Sequence, residues 1–466
     1  MDELKPLLIT QPRRRSSLFS HKERSGLDVV TASCYVLSLM GVMPIIALPA
    51  AVAYSGYAGV GVAVVLLLLI CYTAVQLGET WLLAETFYPN IIGPGSNRQP
   101  YPLLGEVVGG PRLRKLLTLL QDFTLMGAAM PFLLLASESV QEVVAAVTRG
   151  SLDYSFCYWL LLLTLLLLPI MWLGTPADLK MVARAGAALV VVVSGAVVTA
   201  MVMDNSVPAG GERSGTFRWP PRWQTLAYCF GAIAFQFDIH PVLLSVQTDM
   251  TQRGRMRTAV ATAFCCEKLA LPSLFKITAP YVPVVVVSWI RYGDSVSQNL
   301  LNSLPTTPLL HGVMTAVIFQ VLICLCLGIN ALFQDVEEWL GITDAFGWRR
   351  AVCRTCLMLV LLFLCESLPH FGVAIELVGG LLVTPFMFIM PPVFNLILKH
   401  RCLGSTSVVD LVVATATILV GLVGCVASTW ESLLQLHLHQ LVPLPCYIDI
   451  IAATKMETED RQSQAN

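Results

Sequence analysis

Long apolar stretches, separated by short segments rich in charge, glycine and proline, dominate the pattern of hydrophobic and polar positions along the chain. Many of these stretches reach about 20 residues, the length that an α-helix needs to cross the hydrocarbon core of a bilayer. They predict eleven membrane-spanning helices, here called spans 1 to 11, at about residues 28–55, 58–83, 114–143, 156–173, 181–203, 224–246, 257–290, 308–333, 351–368, 372–397 and 408–434. We therefore expect an all-α integral membrane protein.

The composition agrees with this interpretation and excludes several other classes. Hydrophobic residues make up 56% of the chain and charged residues 13%, with a mean hydropathy of +0.72, far above that of a soluble domain. The net charge of -1 gives no basic excess that would indicate a nucleic-acid partner. Most cysteines lie in apolar runs and none has metal-ligand spacing, so we expect no metal or other cofactor.

Lysine and arginine in the loops indicate the orientation of the chain. With a cytoplasmic amino terminus, 20 of these residues fall in cytoplasmic segments and 7 on the opposite side. Residues 1–27 then form a cytoplasmic tail that is polar and basic and is not a signal peptide. Because the number of spans is odd, the tail at 435–466 is expected in a lumen or outside the cell.

The amino-terminal tail contains a candidate sorting signal in the stretch ELKPLL. Glu3 stands four positions before the leucine pair Leu7 and Leu8. Acidic dileucine signals of this kind are bound by clathrin adaptors, which direct membrane proteins to endosomes and lysosomes. Chance is the alternative explanation, because the pattern is short and leucine is abundant in this chain.

Spans 1 and 6 both contain residues that interrupt a helix. In span 1, Gly41 and Pro44 lie near the middle of the apolar run. Proline lacks the backbone N–H and clashes with the preceding turn, while glycine relaxes the backbone. On span 1 alone, a simple proline kink is the better explanation. Span 6 repeats the arrangement between Gly231 and Pro241, and this repetition favours a true break in both spans.

Matching breaks five spans apart predict a five-plus-five inverted repeat. Residues 28–203 form the first repeat, residues 224–397 form the second, and span 11 at 408–434 is peripheral. Non-helical backbone at bilayer depth survives only where protein encloses a cavity. The start of a half-helix attracts a carboxylate and exposed carbonyls attract an ammonium group. Two such breaks together therefore suit an amino acid, which carries both charges on one carbon.

Span 6 also carries three polar side chains, Gln236, Asp238 and His240, in the stretch AFQFDIHPVLL. An ionised group at mid-bilayer costs several kcal/mol, so Asp238 and His240 are expected to face the cavity. Either could carry a coupling proton, because histidine titrates near neutral pH and a desolvated carboxylate can hold a proton. The structural alternatives are that Asp238 caps the second half-helix and that His240 bonds a backbone carbonyl.

Several motifs resemble those of the amino acid/auxin permease family. The stretch GVMPIIALPAAVAYSGY in span 1 is similar to a family signature. YPLLGEVVG before span 3, FGAIAFQFDIHPVLLSVQTDM in span 6, YGDSVSQNLLNSLP after span 7 and LVGGLLVTPFMFIMPPVFNLIL in span 10 resemble further family patterns. The resemblance extends over about residues 28–400.

This resemblance implies an eleven-helix secondary transporter with a leucine-transporter-like fold. Members move small neutral amino acids with protons or, in some branches, with sodium. Carried over to this sequence, the substrate contacts of the family fall at the two breaks, on Gly41, Val42, Met43, Pro44, Phe235, Gln236 and Asp238. Met43, Pro44 and the acidic Asp238 depart from the residues usual in the family, which leaves the identity of the substrate open.

The leading interpretation is a proton-coupled symporter or vesicular antiporter of small amino acids that works by alternating access. An alternative is a transporter-like sensor or scaffold on an endolysosomal membrane, although a tail of about 27 residues is short for a signalling domain. No ring of charges indicates a channel, and no catalytic cluster indicates an enzyme. The expected partners are the amino acid, the bilayer and a clathrin adaptor, on an endosomal, lysosomal or vesicular membrane rather than the plasma membrane.

Overall fold

The computed structural model describes residues 29–92, 99–152, 154–172, 179–204, 222–249, 279–342, 347–368 and 370–438. Within these ranges the regular secondary structure is helical. The sorting residues Glu3, Leu7 and Leu8, most of span 7 and the tail after residue 438 lie outside the described residues.

The apolar pattern sets the positions of the helices, which we number in chain order. Span 1 comprises two helices, as does span 6. The helices are α1 (Val29–Met40), α2 (Met43–Ala53), α3 (Gly56–Phe87), α4 (Pro100–Val147), α5 (Phe156–Trp172), α6 (Leu179–Met203), α7 (Trp223–Gln236), α8 (His240–Asp249), α9 (Tyr281–Arg291), α10 (Pro308–Trp339), α11 (Trp348–Ser367), α12 (Phe371–Leu377), α13 (Met390–Leu403) and α14 (Val408–Leu438).

The length and the apolar character of these helices fit a bilayer. In the part of the chain that is described, seven helices are long and apolar enough to cross a membrane, and three shorter apolar helices accompany them. Large apolar side chains remain exposed along α5, α11 and α14, where lipid would cover them. The protein is therefore a multi-pass integral membrane protein.

The packing of the spans has the symmetry of an inverted repeat. In an inverted repeat of five spans, each span of the first repeat corresponds to the span five positions later. Spans 1 and 5 are in contact, and so are the corresponding spans 6 and 10. A contact between spans 2 and 10 requires one between spans 7 and 5, and both are again present. Spans 3 and 8, which correspond to each other, pack together extensively. The predicted five-plus-five arrangement is confirmed.

Two spans depart from simple helices in ways that the sequence analysis did not predict. Span 3 belongs to a helix that starts at Pro100 and bends at Gly110, which has φ of 79°. In span 10, π-helical segments at Val378–Val383 and Pro385–Ile389 separate α12 from α13. Short π-helical segments within α-helices frequently occur at functional sites.

A buried ion pair joins spans 8 and 9 near the end of the bundle where α1 begins. Arg354 in α11 is 1% exposed and contacts both carboxylate oxygens of Glu337 in α10, at 2.5 and 3.2 Å. The same guanidinium group donates to Met171 O in α5 and to Asn330 Oδ1 in α10. Arg350 gives Glu337 a second cationic partner at 3.1 Å. Spans 4, 8 and 9 are thereby held together at this end.

Candidate substrate site at the two helix breaks

The interruption in span 1 is a two-residue turn, Gly41 and Val42, between α1 and α2. Gly41 has φ of +61°, in the left-handed region that other residues rarely adopt. Its N–H donates to Leu37 O at 3.0 Å and ends α1. Met43 then begins α2, and Pro44 lies in its first turn. Proline is tolerated there because the N–H groups of the first turn have no carbonyl partner within the helix. The predicted break in span 1 is confirmed, and it is a turn rather than a proline kink.

Carbonyl groups beside this turn accept hydrogen bonds from spans 7 and 8. Ser38 O accepts from Gln320 Nε2 at 3.1 Å and from Cys324 Sγ at 3.2 Å. Gly41 O accepts from the Tyr281 hydroxyl at 2.9 Å. The sequence analysis expected free carbonyls here and identified none of these donors. The available signal was Gln320, which is the one amide in the apolar run AVIFQVLICL.

The interruption in span 6 comprises Phe237, Asp238 and Ile239, between α7 and α8. Phe237 N–H donates to Ile233 O at 3.2 Å as the last bond of α7. Ile239 N–H donates to the carbonyl of Phe237, only two residues earlier, at 2.8 Å, so the chain is not helical here. Helix α8 then begins, with Pro241 at its second position. The predicted break in span 6 is confirmed.

The packing of the half-helices brings the two breaks together. Helix α2 packs against α7, and α1 contacts α8, so the ends at the breaks are neighbours. The side chains of Val42 and Met43 are buried in the core, as is Phe235. Phe237 packs edge-on against Tyr281, with 6.5 Å between ring centroids. The residues assigned to substrate contact therefore lie in one largely apolar region.

Two polar side chains at the span 6 break lack partners. Gln236 is 3% exposed, and neither its amide oxygen nor its amide nitrogen has a hydrogen-bond partner in the described part of the chain. Asp238 Oδ1 is likewise buried and has no hydrogen-bond partner among the described residues. Leaving a buried polar group unpaired costs about 1–3 kcal/mol. Such groups, beside a break in the backbone, indicate a place where a ligand or water binds.

His240 is fully buried, at 0% exposure, and connects the break to span 2. Its Nε2 lies 2.9 Å from the Thr73 hydroxyl. That hydroxyl is also positioned to donate to Leu69 O and Ile70 O, at 3.0 and 3.1 Å. A hydroxyl has one proton, so when it donates to one of these carbonyls it accepts from a protonated Nε2. Nδ1 is buried without a partner. The partner of His240 is thus a side chain on span 2 and not a neighbouring carbonyl.

The variant Thr73→Val is expected to destabilise the protein by about 1–3 kcal/mol, because it leaves the His240 N–H buried and unpaired. The unfolding temperature of the purified protein in detergent measures this effect. Thr164→Val is the matched control, since the Thr164 hydroxyl is buried but bonds only the Leu160 carbonyl of its own helix. Equal losses in the two variants would contradict the assigned bond.

Hydrogen bonds close the end of the bundle where α2 ends and α7 begins, which we call the far end. The Tyr54 hydroxyl donates to Val296 O at 2.8 Å, and Ser55 Oγ donates to Thr225 O at 2.8 Å. Asn299 Nδ2 donates to Glu138 Oε2 at 2.9 Å, which ties the loop after α9 to α4. In this conformation spans 1, 3 and 6 are held together between the breaks and the far end.

No group of three or more His, Cys, Asp or Glu side chains that could hold a metal ion occurs among the residues that the structure describes. The site consists of broken backbone, one unpartnered amide, one carboxylate, one imidazole and apolar side chains. This combination suits a small zwitterion with an uncharged side chain.

Comparison with known sequences identifies related proteins over most of the chain. The family model for "Transmembrane amino acid transporter protein" matches residues 27–434. Amino acid transporter AVT1C of Arabidopsis thaliana is 23% identical over 430 residues, covering 91% of this chain and 70% of its own length. Amino acid transporter AVT1J of the same plant is 22% identical over 342 residues, covering 71% of this chain and 76% of its own length.

Comparison with solved structures identifies the fold. The crystal structure of MhsT in complex with L-phenylalanine aligns with a TM-score of 0.55 at 11% identity, over 87% of this chain and 98% of MhsT. A manganese transporter of Eremococcus coleocola aligns with a TM-score of 0.50 at 12% identity, over 94% of this chain and 93% of that protein. Both have the leucine-transporter-like fold, so the fold expected from the sequence is confirmed.

Proposed function

Because the chain belongs to the family of transmembrane amino acid transporter proteins, we propose that it moves small neutral amino acids by alternating access, driven by a proton gradient. Family membership makes it a transporter rather than an enzyme. One observation carries the proposed binding of an amino acid. At the break in span 6, the Gln236 amide and a carboxylate oxygen of Asp238 are buried and have no hydrogen-bond partner among the described residues.

The substrate's two charged groups match the two breaks. Its carboxylate is proposed to bind at the start of α2, where the first N–H groups lack helical partners and the helix dipole is positive. The proposed contacts at this break are Gly41, Val42, Met43 and Pro44. Its ammonium group is proposed to bind Asp238 at the break in span 6.

The remaining contacts set the size and polarity of the substrate. Gln236 is proposed to bond the bound amino acid through its free amide, and Phe235 borders the substrate side chain. Because the residues around the breaks are largely apolar, a charged substrate side chain would lack a partner there. A small neutral side chain fits without that cost.

The coupling proton is proposed to bind near the same break. Asp238 is the first candidate, since one of its oxygens has no partner and could take up a proton as the substrate leaves. His240 is the second candidate, because its Nδ1 is also unpartnered. Because the far end is closed, we propose that substrate exchange at that end needs a second conformation. Opening requires the bonds of Tyr54, Ser55 and Asn299 to break.

We further propose a cytoplasmic amino terminus and an endosomal, lysosomal or vesicular location. The distribution of lysine and arginine supports this orientation. Cys157, at the far-end start of α5, is disulfide-bonded, and disulfides persist in oxidising compartments such as a lumen. The acidic dileucine of Glu3, Leu7 and Leu8 supports sorting by a clathrin adaptor.

Uptake of radiolabelled amino acids into proteoliposomes tests the function. A screen of the common amino acids with an imposed pH gradient, an imposed sodium gradient or neither identifies both the substrate and the coupling ion. Accumulation that requires the pH gradient supports the proposal. Accumulation that requires sodium and ignores pH contradicts proton coupling. Saturable binding without flux under any gradient would favour the sensor.

The variant Gln236→Leu is expected to weaken transport without weakening the fold. Replacing an unpaired buried amide by an apolar side chain of similar size removes a penalty, so the unfolding temperature should stay equal or rise. The substrate loses a hydrogen bond worth about 1.4 kcal/mol, which corresponds to a roughly tenfold higher KM. Initial uptake rates over a range of substrate concentrations measure this change.

Gln141→Leu is the matched control, because Gln141 lies near the far end of span 3 and bonds the Tyr154 carbonyl just before α5. The control is expected to keep the KM of the original protein. If Gln236→Leu lowers the unfolding temperature and leaves KM unchanged, Gln236 supports the fold and does not bind the substrate.

A further inference from the structure

Spans 10 and 11 contain a pair of buried glutamates that the sequence analysis did not single out. Glu376 in α12 is 0% exposed, and neither of its carboxylate oxygens has a hydrogen-bond partner in the described part of the chain. Glu431 in α14 is 6% exposed. Its Oε1 accepts from Gln435 Nε2 at 3.2 Å, while Oε2 has no partner. Acidic side chains are almost never buried unless they are paired.

Helix α12, which carries Glu376, packs against α14, which carries Glu431, and polar groups without partners in the described part of the chain lie beside them. Ser428 in α14 and Tyr228 in α7 are buried, and both hydroxyl oxygens are unpartnered. A Cβ atom at Gly231 would lie 3.1 Å from Glu376 Cγ and 3.1 Å from Ser428 Oγ. Spans 6, 10 and 11 therefore meet at one enclosed polar site.

In the part of the chain that the structure describes, the titratable groups near Glu376 on the helices packed against α12 are acidic or neutral. Span 11 contributes Glu431 and the Ser432 hydroxyl, and span 6 contributes the hydroxyl of Tyr228 and the thiol of Cys229. On span 3, which also packs against α12, Asp122 interacts with Asp335 of α10 and Glu138 bonds Asn299. Among the described residues no lysine, arginine or histidine pairs with either glutamate of the site.

Two ionised carboxylates without a cation are very unfavourable in such a place. Moving one carboxylate out of water costs several kcal/mol even after relaxation, and a second nearby charge of the same sign adds repulsion. Carboxyl pairs in proteins avoid this cost by sharing one proton. The free hydroxyl groups of Ser428 and Tyr228 can donate to the negative charge that remains.

We propose that Glu376 and Glu431 form a proton-binding site that carries the coupling proton of the transport cycle. This inference rests on the proposed proton-driven transport and adds a second site to that at the span 6 break. On uptake, a proton forms an O–H bond with one carboxylate oxygen, and the charge of the pair changes from minus two to minus one. On release, the same O–H bond breaks and the proton leaves to water.

The position of the pair suits uptake from the far end. Glu376 lies five residues from the start of α12 and Glu431 seven from the end of α14, and both of those helix ends are at the far end. At 1.5 Å per residue, each carboxylate lies about 8–11 Å along its helix from that end. The pair therefore lies nearer to the far end than the two breaks do.

The pair also lies against the helix that ends at the substrate site. A Cβ atom at Gly379 would be 2.0 Å from Gly231 O, so spans 10 and 6 touch through their backbones beside Glu376. Gly231 precedes Gln236 by five residues on α7, about 7.5 Å along the helix. The π-helical segment of span 10 begins two residues after Glu376, at Val378. A change in the charge of the glutamate pair therefore acts on α7, which ends at the substrate site, and on the π-helical segment of span 10.

Substituting each glutamate by glutamine tests the proposal in proteoliposomes. Two measurements are compared, namely accumulation driven by a pH gradient and exchange of labelled for unlabelled substrate without a gradient. We expect Glu376→Gln to reduce accumulation at least tenfold, to keep exchange within threefold and to flatten the pH profile of uptake. Glu431→Gln is expected to change accumulation in the same direction. Glu366→Gln, at the far end of span 9, is the control and should leave both measurements unchanged.

Outcomes of this experiment separate the two proposals. If the original protein accumulates substrate with the pH gradient and both Glu376→Gln and Glu431→Gln do so equally well, the glutamate pair is not a coupling site, while the proposed function stands. If the original protein shows no pH-driven accumulation, the proposed proton-driven transport is wrong, and the glutamate pair has no coupling role.

An infrared measurement tests proton binding even if a variant is inactive. The original protein at pH 7 should show the carbonyl band of a buried protonated carboxyl group, and this band should be lost in Glu376→Gln or in Glu431→Gln, whichever folds. A spectrum without such a band, or a band unaffected by both substitutions, would overturn the inference.

Discussion

The variant Gly41→Ala is expected to reduce amino acid uptake at least about tenfold. Gly41 has φ of +61°, and an L-residue in this region costs roughly 1–2 kcal/mol. A Cβ atom there would also lie 3.0 Å from Cys324 Sγ, closer than ordinary van der Waals contact. Both effects shift the turn that joins α1 to α2, and with it the N–H groups proposed to bind the substrate carboxylate. Because 1.4 kcal/mol corresponds to a factor of ten, strain of this size is sufficient.

Uptake into proteoliposomes, normalised to the amount of folded protein, measures this effect. Gly328→Ala is the matched control, because Gly328 lies one turn beyond Cys324 on α10 and a Cβ atom there would have no neighbour within 4 Å. The control should transport normally. Normal uptake by Gly41→Ala would show that the geometry of this turn does not determine binding.

The variant Arg354→Met is expected to destabilise the protein by about 3–5 kcal/mol, the loss typical when one member of a buried ion pair is removed. Glu337 would keep Arg350 as a partner but would lose both of its contacts with Arg354. Met171 O and Asn330 Oδ1 would lose their donor at the same time. A lower unfolding temperature in detergent and a lower yield of monodisperse protein are the expected observations.

The double variant Arg354→Met with Glu337→Met separates the ion pair from general packing. If the loss comes from an uncompensated buried charge, removing Glu337 as well should recover most of the stability. Arg349→Met is the surface control, since Arg349 is exposed and stacks on Trp348. A double variant that is less stable than Arg354→Met would mean that the side chain of Glu337 contributes mainly through other contacts.

The sequence predicts the spans and their breaks because these depend on local properties. Apolar length determines where a helix can cross, and Gly41, Pro44 and Pro241 lower the cost of interrupting it, whereas Gly231 lies within α7. Because both properties belong to neighbouring residues, the broken spans and the inverted repeat could be predicted without coordinates.

Partners across the bundle could not be predicted in the same way. Gln320, Tyr281 and Glu376 are single polar residues in apolar segments, so the sequence indicates that they should avoid lipid. Which neighbour they meet depends on the rotation of each helix and on the close approach of other spans. The contact of Gly231 with Gly379 is one such approach, and it arises from residues about 150 positions apart.

Three hydrogen bonds described above contribute to the closure of the far end. The hydrogen bonds of Tyr54, Ser55 and Asn299 contribute about 1 kcal/mol each, a total of roughly 3 kcal/mol, which is below the roughly 5.5 kcal/mol that reverses a 99:1 equilibrium. A molecule that recognises only one arrangement of this surface, such as an antibody fragment of nanomolar affinity, has enough binding energy to trap the protein in it. The far end is accordingly a place where inhibitors could act without competing with the substrate.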